Sequence, residues 1–288
     1  MKSPDQPSSS TTSAVDPGAQ STNPSLLASL NSPIFRAVWI ASLASNFGGL
    51  IQSVGASWMM TSIGSAGMVA LVQASVTLPI MLLSLPAGAL ADTFDRRKMM
   101  LAAQVFMLVV SVTLSLFAWA GWITPWVLLV FTFLIGCGAA MNGPAWQASV
   151  GEMVPRRDLA GAVALNSMGF NLARSVGPAV GGMIVAAAGA AAAFTVNAFT
   201  YTGLIFVLAR WKPERPARTL PREGLGVAMR TGLRYVAMSG RIGSVLLRAL
   251  VFGFAASAVQ ALMPLVARDT MGGGPQVFGL LLGAFGAG

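Results

Sequence analysis

No histidine occurs in the 288 residues, and cysteine occurs once, at Cys137. These two absences remove zinc sites of the usual ligand sets, histidine acid–base chemistry and any disulfide framework. Acidic residues number nine, and only 9% of the chain is charged, where soluble domains carry about 25%. Neither a G-x-x-x-x-G-K-[ST] phosphate loop nor a G-x-S-x-G elbow is present, so an ATP-driven pump and a serine hydrolase both lack their motifs. What is abundant is apolar: 55% of residues are hydrophobic and the mean hydropathy is +0.71. This is the composition of an all-α, polytopic membrane helix bundle without a cofactor or a metal.

Charge appears where the oily runs stop. Between Arg36 and Asp92, and again between Lys98 and Glu152, there is no charged residue, so each run has room for two helices that cross a hydrocarbon core of about 30 Å. The net charge of +9 would suggest nucleic acid in a soluble chain. Here most cations fall in three alternate loops: Arg96, Arg97 and Lys98; Arg156 and Arg157; and Arg210 to Arg241. That pattern marks a cytoplasmic side and argues against a nucleic-acid partner. Trp39, Trp146 and Trp211 fall near the inner helix ends and Trp58, Trp119, Trp122 and Trp126 near the outer ones, as interfacial aromatics do.

Read in order, residues 1–32 are rich in Ser, Thr, Pro and Gln and are expected to form a disordered cytoplasmic tail. Hydrophobic helices are expected over 37–60, 67–91, 99–120, 124–148, 159–187 and 191–210, making residues 33–211 a six-helix N-terminal bundle. Residues 212–240, with Pro213, Pro216 and Pro221 among arginines, read as a cytoplasmic linker. Within it, Leu225, Met229, Leu233 and Val236 recur at helical spacing, as in a helix lying on a membrane surface. Residues 241–288 would hold helix 7, over 242–266, and a helix 8 that starts at Pro275 and ends fourteen residues later. That length reads as a fragment of an incomplete second bundle.

Gly88, Leu90, Asp92, Arg96 and Arg97 stand in the link between helices 2 and 3 and resemble the G-x-L-x-D-x-x-G-R-R/K signature of the major facilitator superfamily. Asp95 replaces that family's second glycine and Thr93 its usual basic residue. In helix 5, Gly177, Pro178, Ala179, Val180, Gly181 and Gly182 resemble the core of the superfamily's antiporter signature, with Ala164 and Ala173 in place of its earlier glycines. The stretch from Gly143 to Gly182 is similar to the enterobactin-exporter-like, or transmembrane secretion effector, group. The resemblance implies the major facilitator fold with an N-terminal six-helix bundle and a second bundle, alternating access in a bacterial inner membrane, and an amino terminus in the cytoplasm. It also implies proton-coupled export of siderophores or drug-like compounds, with Asp92 acting as a gate residue. Other readings are an importer of small solutes and a truncated, transport-inactive membrane protein. Partners would be a small-molecule substrate and the lipid bilayer, and a full-length form is expected to be a monomer.

Arg174 lies fifteen residues into helix 5, about 22 Å from its start, and a charge at that depth costs at least ~2.5 kcal/mol on insertion scales. Arg248, about two turns into helix 7, is a second buried-depth cation, and together they would suit an anionic substrate group. Asn46, Asn142 and Asn171 are further candidates for a cavity wall. Gln52, Gln73, Gln104, Asn166, Asn197 and Gln260 could line a cavity or bridge helices equally well. No carboxylate lies deep in any helix.

The charge pattern makes a topological prediction. A cysteine placed at Gly64 should react with a membrane-impermeant maleimide in intact cells, and reaction only after permeabilisation would invert the assignment.

Overall fold

The computed structural model describes residues 26–212, 226, 234 and 238–288. Residues 1–25 of the expected tail, and most of the expected linker with its surface helix, lie outside the described residues. Residues 26–31, read above as part of the tail, form a 3-10 helix whose Leu30 packs on the bundle. The described chain is α-helical throughout, with α1 (Pro33–Ile63), α2 (Ala66–Thr93), α3 (Arg96–Trp119) and α4 (Pro125–Met153). A continuous helical run, Leu159–Arg210, is broken at Gly189; we number its halves α5 (159–188) and α6 (190–210). Then come α7 (Gly240–Leu265), a π-turn at Val266–Thr270, and α8 (Pro275–Ala287).

The helix starts are written in the local sequence. Ser32, Ser65, Asp95 and Thr124 are N-caps whose side chains accept from the backbone N–H three residues on, which satisfies a donor that has no helical partner. Pro33, Pro125 and Pro275 occupy first-turn positions where the missing N–H costs nothing. These caps explain why α1 begins four residues before the apolar run that marked it. Similarly, α4 continues to Met153, past Ala148, and Ser32 Oγ donates to the Met153 carbonyl at 2.8 Å, tying the two helix ends together.

Gly189 is the sharpest joint in the molecule. Its φ of 77° and ψ of 172° fall in a region that only glycine enters freely. One residue therefore reverses the chain: α5 runs along α1 in the same direction, with Gly169 beside Trp39 and Gly181 beside Ile51, while α6 returns, with Ala193 beside Gly55 and Thr200 beside Gly48. Three residues were expected for this turn, and the fold uses a single one.

Two apolar clusters close the bundle. At the end near Arg96, Phe35, Val38, Met100, Trp146, Leu165 and Leu208 are buried together. At the end near Gly189, Met60, Val72, Leu114, Leu128 and Phe194 do the same. Between them sits a buried polar network. Ser111 of α3 donates to Gln52 Oε1 of α1 at 3.1 Å, and Asn197 Nδ2 of α6 donates to the same Gln52 oxygen and, at 3.1 Å, to the Tyr201 hydroxyl. All four side chains are buried. Gln52 and Asn197, ambiguous in sequence, are bridging residues. In a lipid-surrounded bundle each such interhelical bond contributes on the order of 1 kcal/mol. Trp119, Trp122 and Trp126 remain exposed around the Gly121 turn, where an interface belt would sit.

Outside the six helices, α7 lies along α2 and α8 along α5. Six of the helical segments are long and apolar enough to cross a membrane, the α5–α6 run being one of them.

Gly189→Ala should lower stability by about 1–3 kcal/mol because alanine is strained at that backbone geometry. Gly203→Ala, at an α6 site where a new methyl meets open space, should be neutral or slightly stabilising. Thermal unfolding in detergent compares the pair, and equal midpoints would show that Gly189 is not a forced glycine.

Candidate functional site

α5 is the wall against which both α1 and α8 are seated, and its glycine motif explains how. Small residues recur every four positions at Gly169, Ala173, Gly177 and Gly181, a spacing that keeps them on one helix face. That face meets α1: a methyl on Gly177 would sit 3.1 Å from Leu50 Cβ, and one on Gly181 would sit 3.0 Å from the Ile51 Cα. Gly182 points the other way, toward α8, where a methyl would lie 2.5 Å from the Pro275 carbonyl oxygen and 3.1 Å from Gly279 Cα. The reciprocal glycines are on α8. Methyls on Gly279, Gly283 and Gly286 would drive into the carbonyls of Pro178, Ser175 and Arg174 respectively. The G-P-A-V-G-G motif and the glycines of α8 are therefore two halves of one seam, closed by backbone contact.

Arg174 lies at mid-length of α5 beside the last turn of α8, and its side chain is exposed. Among the described residues no carboxylate pairs with it. Asn171, one turn back, is also exposed, and Asn46 of α1 is half-buried at the same level of the α1–α5 contact. From α4, Trp146 Nε1 donates to Asn166 Oδ1 of α5 at 3.0 Å. Four residues back along α4 and five residues on along the antiparallel α5 come Asn142 and Asn171, so Asn142 lies near the same level. Its Oδ1 is buried without a donor among the described residues, as is Gln104 Oε1 on α3. Four of the expected binding residues thus share one depth. Arg248 does not join them: it is exposed on α7, which runs along α2, so the two arginines belong to different seams.

The signature between α2 and α3 is also resolved into roles. Arg96 Nη1 donates to Glu152 Oε1 at 2.8 Å and to the Ala148 carbonyl at 3.0 Å, and Nε to the Ala91 carbonyl at 3.4 Å. Arg97 donates to the carbonyls of Leu208 and Ala209, each at 2.7 Å. The pair therefore caps the C-terminal ends of α2, α4 and α6, where cations offset unpaired carbonyls. Asp92 is exposed at the end of α2, Leu90 packs on the nearby apolar cluster, and a methyl on Gly88 would meet nothing within 4 Å. Sequence reasoning named both arginines but not their carbonyl partners, because helix ends from three separate segments converge only in the fold. No group of three metal-ligating side chains occurs among the described residues.

Residues 24–288 match the family described as "Transmembrane secretion effector". Among curated proteins, the staphyloferrin A transporter of Staphylococcus aureus is 26% identical over 82% of this chain and 59% of its own length. The multidrug efflux pump Tap of Mycobacterium tuberculosis is 27% identical over 69% of this chain and 50% of its own length. The chain thus spans about half or somewhat more of the length of these relatives. Among solved structures, an inward-facing, unoccupied bacterial homolog of the human lysosomal transporter Spinster superposes with a TM-score of 0.71 at 13% identity, covering 89% of this chain and 59% of that one.

If the α5–α8 seam is closed by backbone contact, Gly279→Leu should separate the helices and cost at least ~1 kcal/mol. Gly243→Leu on α7, where a side chain meets open space, is the control. Thermal unfolding of the two variants checks this, and equal stability would mean that the seam contributes nothing.

Proposed function

Since this chain belongs to the transmembrane secretion effector family of the major facilitator superfamily, we propose that it is part of a secondary transporter that exports small amphipathic molecules, siderophore-like or drug-like, by alternating access coupled to protons. Of the two relatives, one is named a siderophore transporter, of staphyloferrin A, and the other a multidrug efflux pump. The observation that carries the reading to this chain is Arg174, an exposed cation at mid-depth of α5 with no carboxylate partner among the described residues. A charge held at that depth faces protein or water and is kept for a purpose. With Asn46, Asn142 and Asn171 at the same level, it offers one cation and several amide groups to a ligand that carries an anionic or strongly accepting group on an apolar body.

The remaining roles follow in the same reading. The Arg96 end is cytoplasmic, in a bacterial inner membrane. Asp92 works as the gate residue of the inner side, and Gly88 is left bare for a helix of the second bundle. Arg96 and Arg97 hold the inner helix ends in place around that gate. Gly177, Pro178, Gly181 and Gly182 let α1 and α8 approach α5 closely when the Gly189 end is shut. Arg248 contacts ligand from the α2–α7 side.

Arg174→Ala should lower efflux by about tenfold or more, equivalent to ~1.4 kcal/mol of lost interaction, while membrane abundance stays near normal. Arg174→Lys, which keeps the charge without the planar fork, should retain part of the activity. Dye or substrate efflux from energised cells, normalised to membrane abundance, measures both. Full activity per molecule in Arg174→Ala would sink the binding role and leave Arg174 as a packing residue.

A further inference from the structure

The Gly189 end of the bundle is almost without charge. No charged residue occurs between Arg36 and Asp92, between Lys98 and Glu152, or between Arg174 and Arg210, so every helix end from α1 to α6 on this side is neutral. The exceptions come from outside those six helices. Arg268 and Asp269 stand in the π-turn after α7, and Arg268 meets α1.

Thr61 lies in the last turn of α1, where carbonyls have run out of helical donors. Arg268 Nη1 donates to the Thr61 carbonyl. The other edge of the guanidinium is held by the neighbouring residue: Nε donates to Asp269 Oδ1 at 2.6 Å and Nη2 to Oδ2 at 3.3 Å. A guanidinium gripped by both carboxylate oxygens keeps a fixed plane, and here that plane aims the remaining nitrogen at α1. The π-turn supplies the geometry. Its wider loop, closed by Met271 N–H donating to the Val266 carbonyl at 3.1 Å, seats Ala267 fully buried against the bundle and leaves Arg268 and Asp269 exposed on the next two positions. Wide turns of this type often mark functional positions.

Behind the ion pair is a dry contact. Ala267 and Phe278 are buried with Ile51, Val54, Val185 and Ala193, and Trp58 stacks on Phe278 with ring centroids 6.4 Å apart. Apolar surfaces of this kind attract without fixing direction. The guanidinium bond to a single carbonyl is directional, and its side chain is partly open to solvent, so water can replace it when the helices part.

We propose that Arg268, oriented by Asp269, is the latch that holds α7 and α8 against α1 at the Gly189 end, with the Thr61 carbonyl as its catch. The two residues are positioning residues of the transport cycle, and the proposal rests on the alternating-access reading above. Releasing the catch frees the π-turn and the start of α8 to move away from α1. Keeping it made closes that end.

The test is a distance. With Cys137 replaced by alanine, spin labels are placed at Ile63 and Met271, both exposed beside the latch, and the protein is reconstituted in lipid nanodiscs without substrate. The parent should give one short, narrow distance population. Arg268→Gln should raise a longer population at least about fivefold, the lower bound of ordinary conformational couplings, at an unchanged thermal midpoint. Arg268→Lys should lie between them. Asp269→Asn should shift the population in the same direction as Arg268→Gln, and the double variant should match Arg268→Gln alone, because the pair acts as a unit. Unchanged distances in Arg268→Gln and Asp269→Asn would overturn the latch, and additive effects would overturn the clamp by Asp269. Should Arg268→Gln fail to fold, Asp269→Asn decides the matter by itself, since that side chain is exposed. The readout needs no substrate, so lost efflux with these distances behaving as stated would count against the proposed function and leave the latch standing.

Discussion

Two helices must touch α5 at backbone distance, and it has almost no side chain where they do. In a hydrocarbon solvent the lipid tails compete with every apolar side chain, so helices gain little from burying oil against oil. They gain from van der Waals contact at close range and from the few hydrogen bonds that cross between them. The stripe Gly169, Ala173, Gly177 and Gly181 brings α1 in, and Gly182 brings α8 in from another side. The rest of the arrangement depends on that contact. It sets the level that Asn46 and Arg174 share, carries α8 to the bundle, and so places the π-turn before α8 within reach of the end of α1.

Hydrogen bonding then fixes what packing leaves loose. The Gln52–Ser111–Asn197–Tyr201 network joins α1, α3 and α6 near the middle of the membrane span, and the Arg96 and Arg97 caps join α2, α4 and α6 at one end. Each uses a polar group that is expensive to leave alone in a medium without water. Specificity of helix arrangement therefore comes from a small number of polar atoms, while the bulk of the surface remains apolar and interchangeable.

Much of this was legible in the residues. The number of helices, the charged end and the positions of the glycine motifs follow from length, charge and composition, because a bilayer imposes a fixed span and a fixed sign rule. Partners were not legible. Two glycine stripes, on α5 and on α8, are visible in sequence, but only the fold pairs Gly182 with Gly279. Arg174 and Arg248 can be read from the sequence as one anion clamp, and only the fold shows that they stand on different seams, Arg248 on the α7 that lies along α2 and Arg174 beside α8. Gln52 and Asn197 could have lined a cavity, and bridge helices instead. The role of Arg268 is not legible either, since its partner is a carbonyl more than two hundred residues away and a backbone oxygen leaves no mark in a sequence. Helix ends were misjudged by several residues where caps rather than hydrophobicity decide them, as at Ser32.

The one-residue joint at Gly189 has a consequence for anything that must recognise this protein by touch. A turn of that length offers a protease no extended segment to thread and an antibody no loop to embrace. Among the described residues on that end of the bundle, the purchase available lies in the short links around Gly64 and Gly121 and in the glycines at 272–274 beside the Arg268–Asp269 pair. A binder that settles on the Gly64 link or on residues 272–274 would therefore sit beside the contact between Arg268 and Thr61, and if that contact is the proposed latch, the binder would hold it in one state.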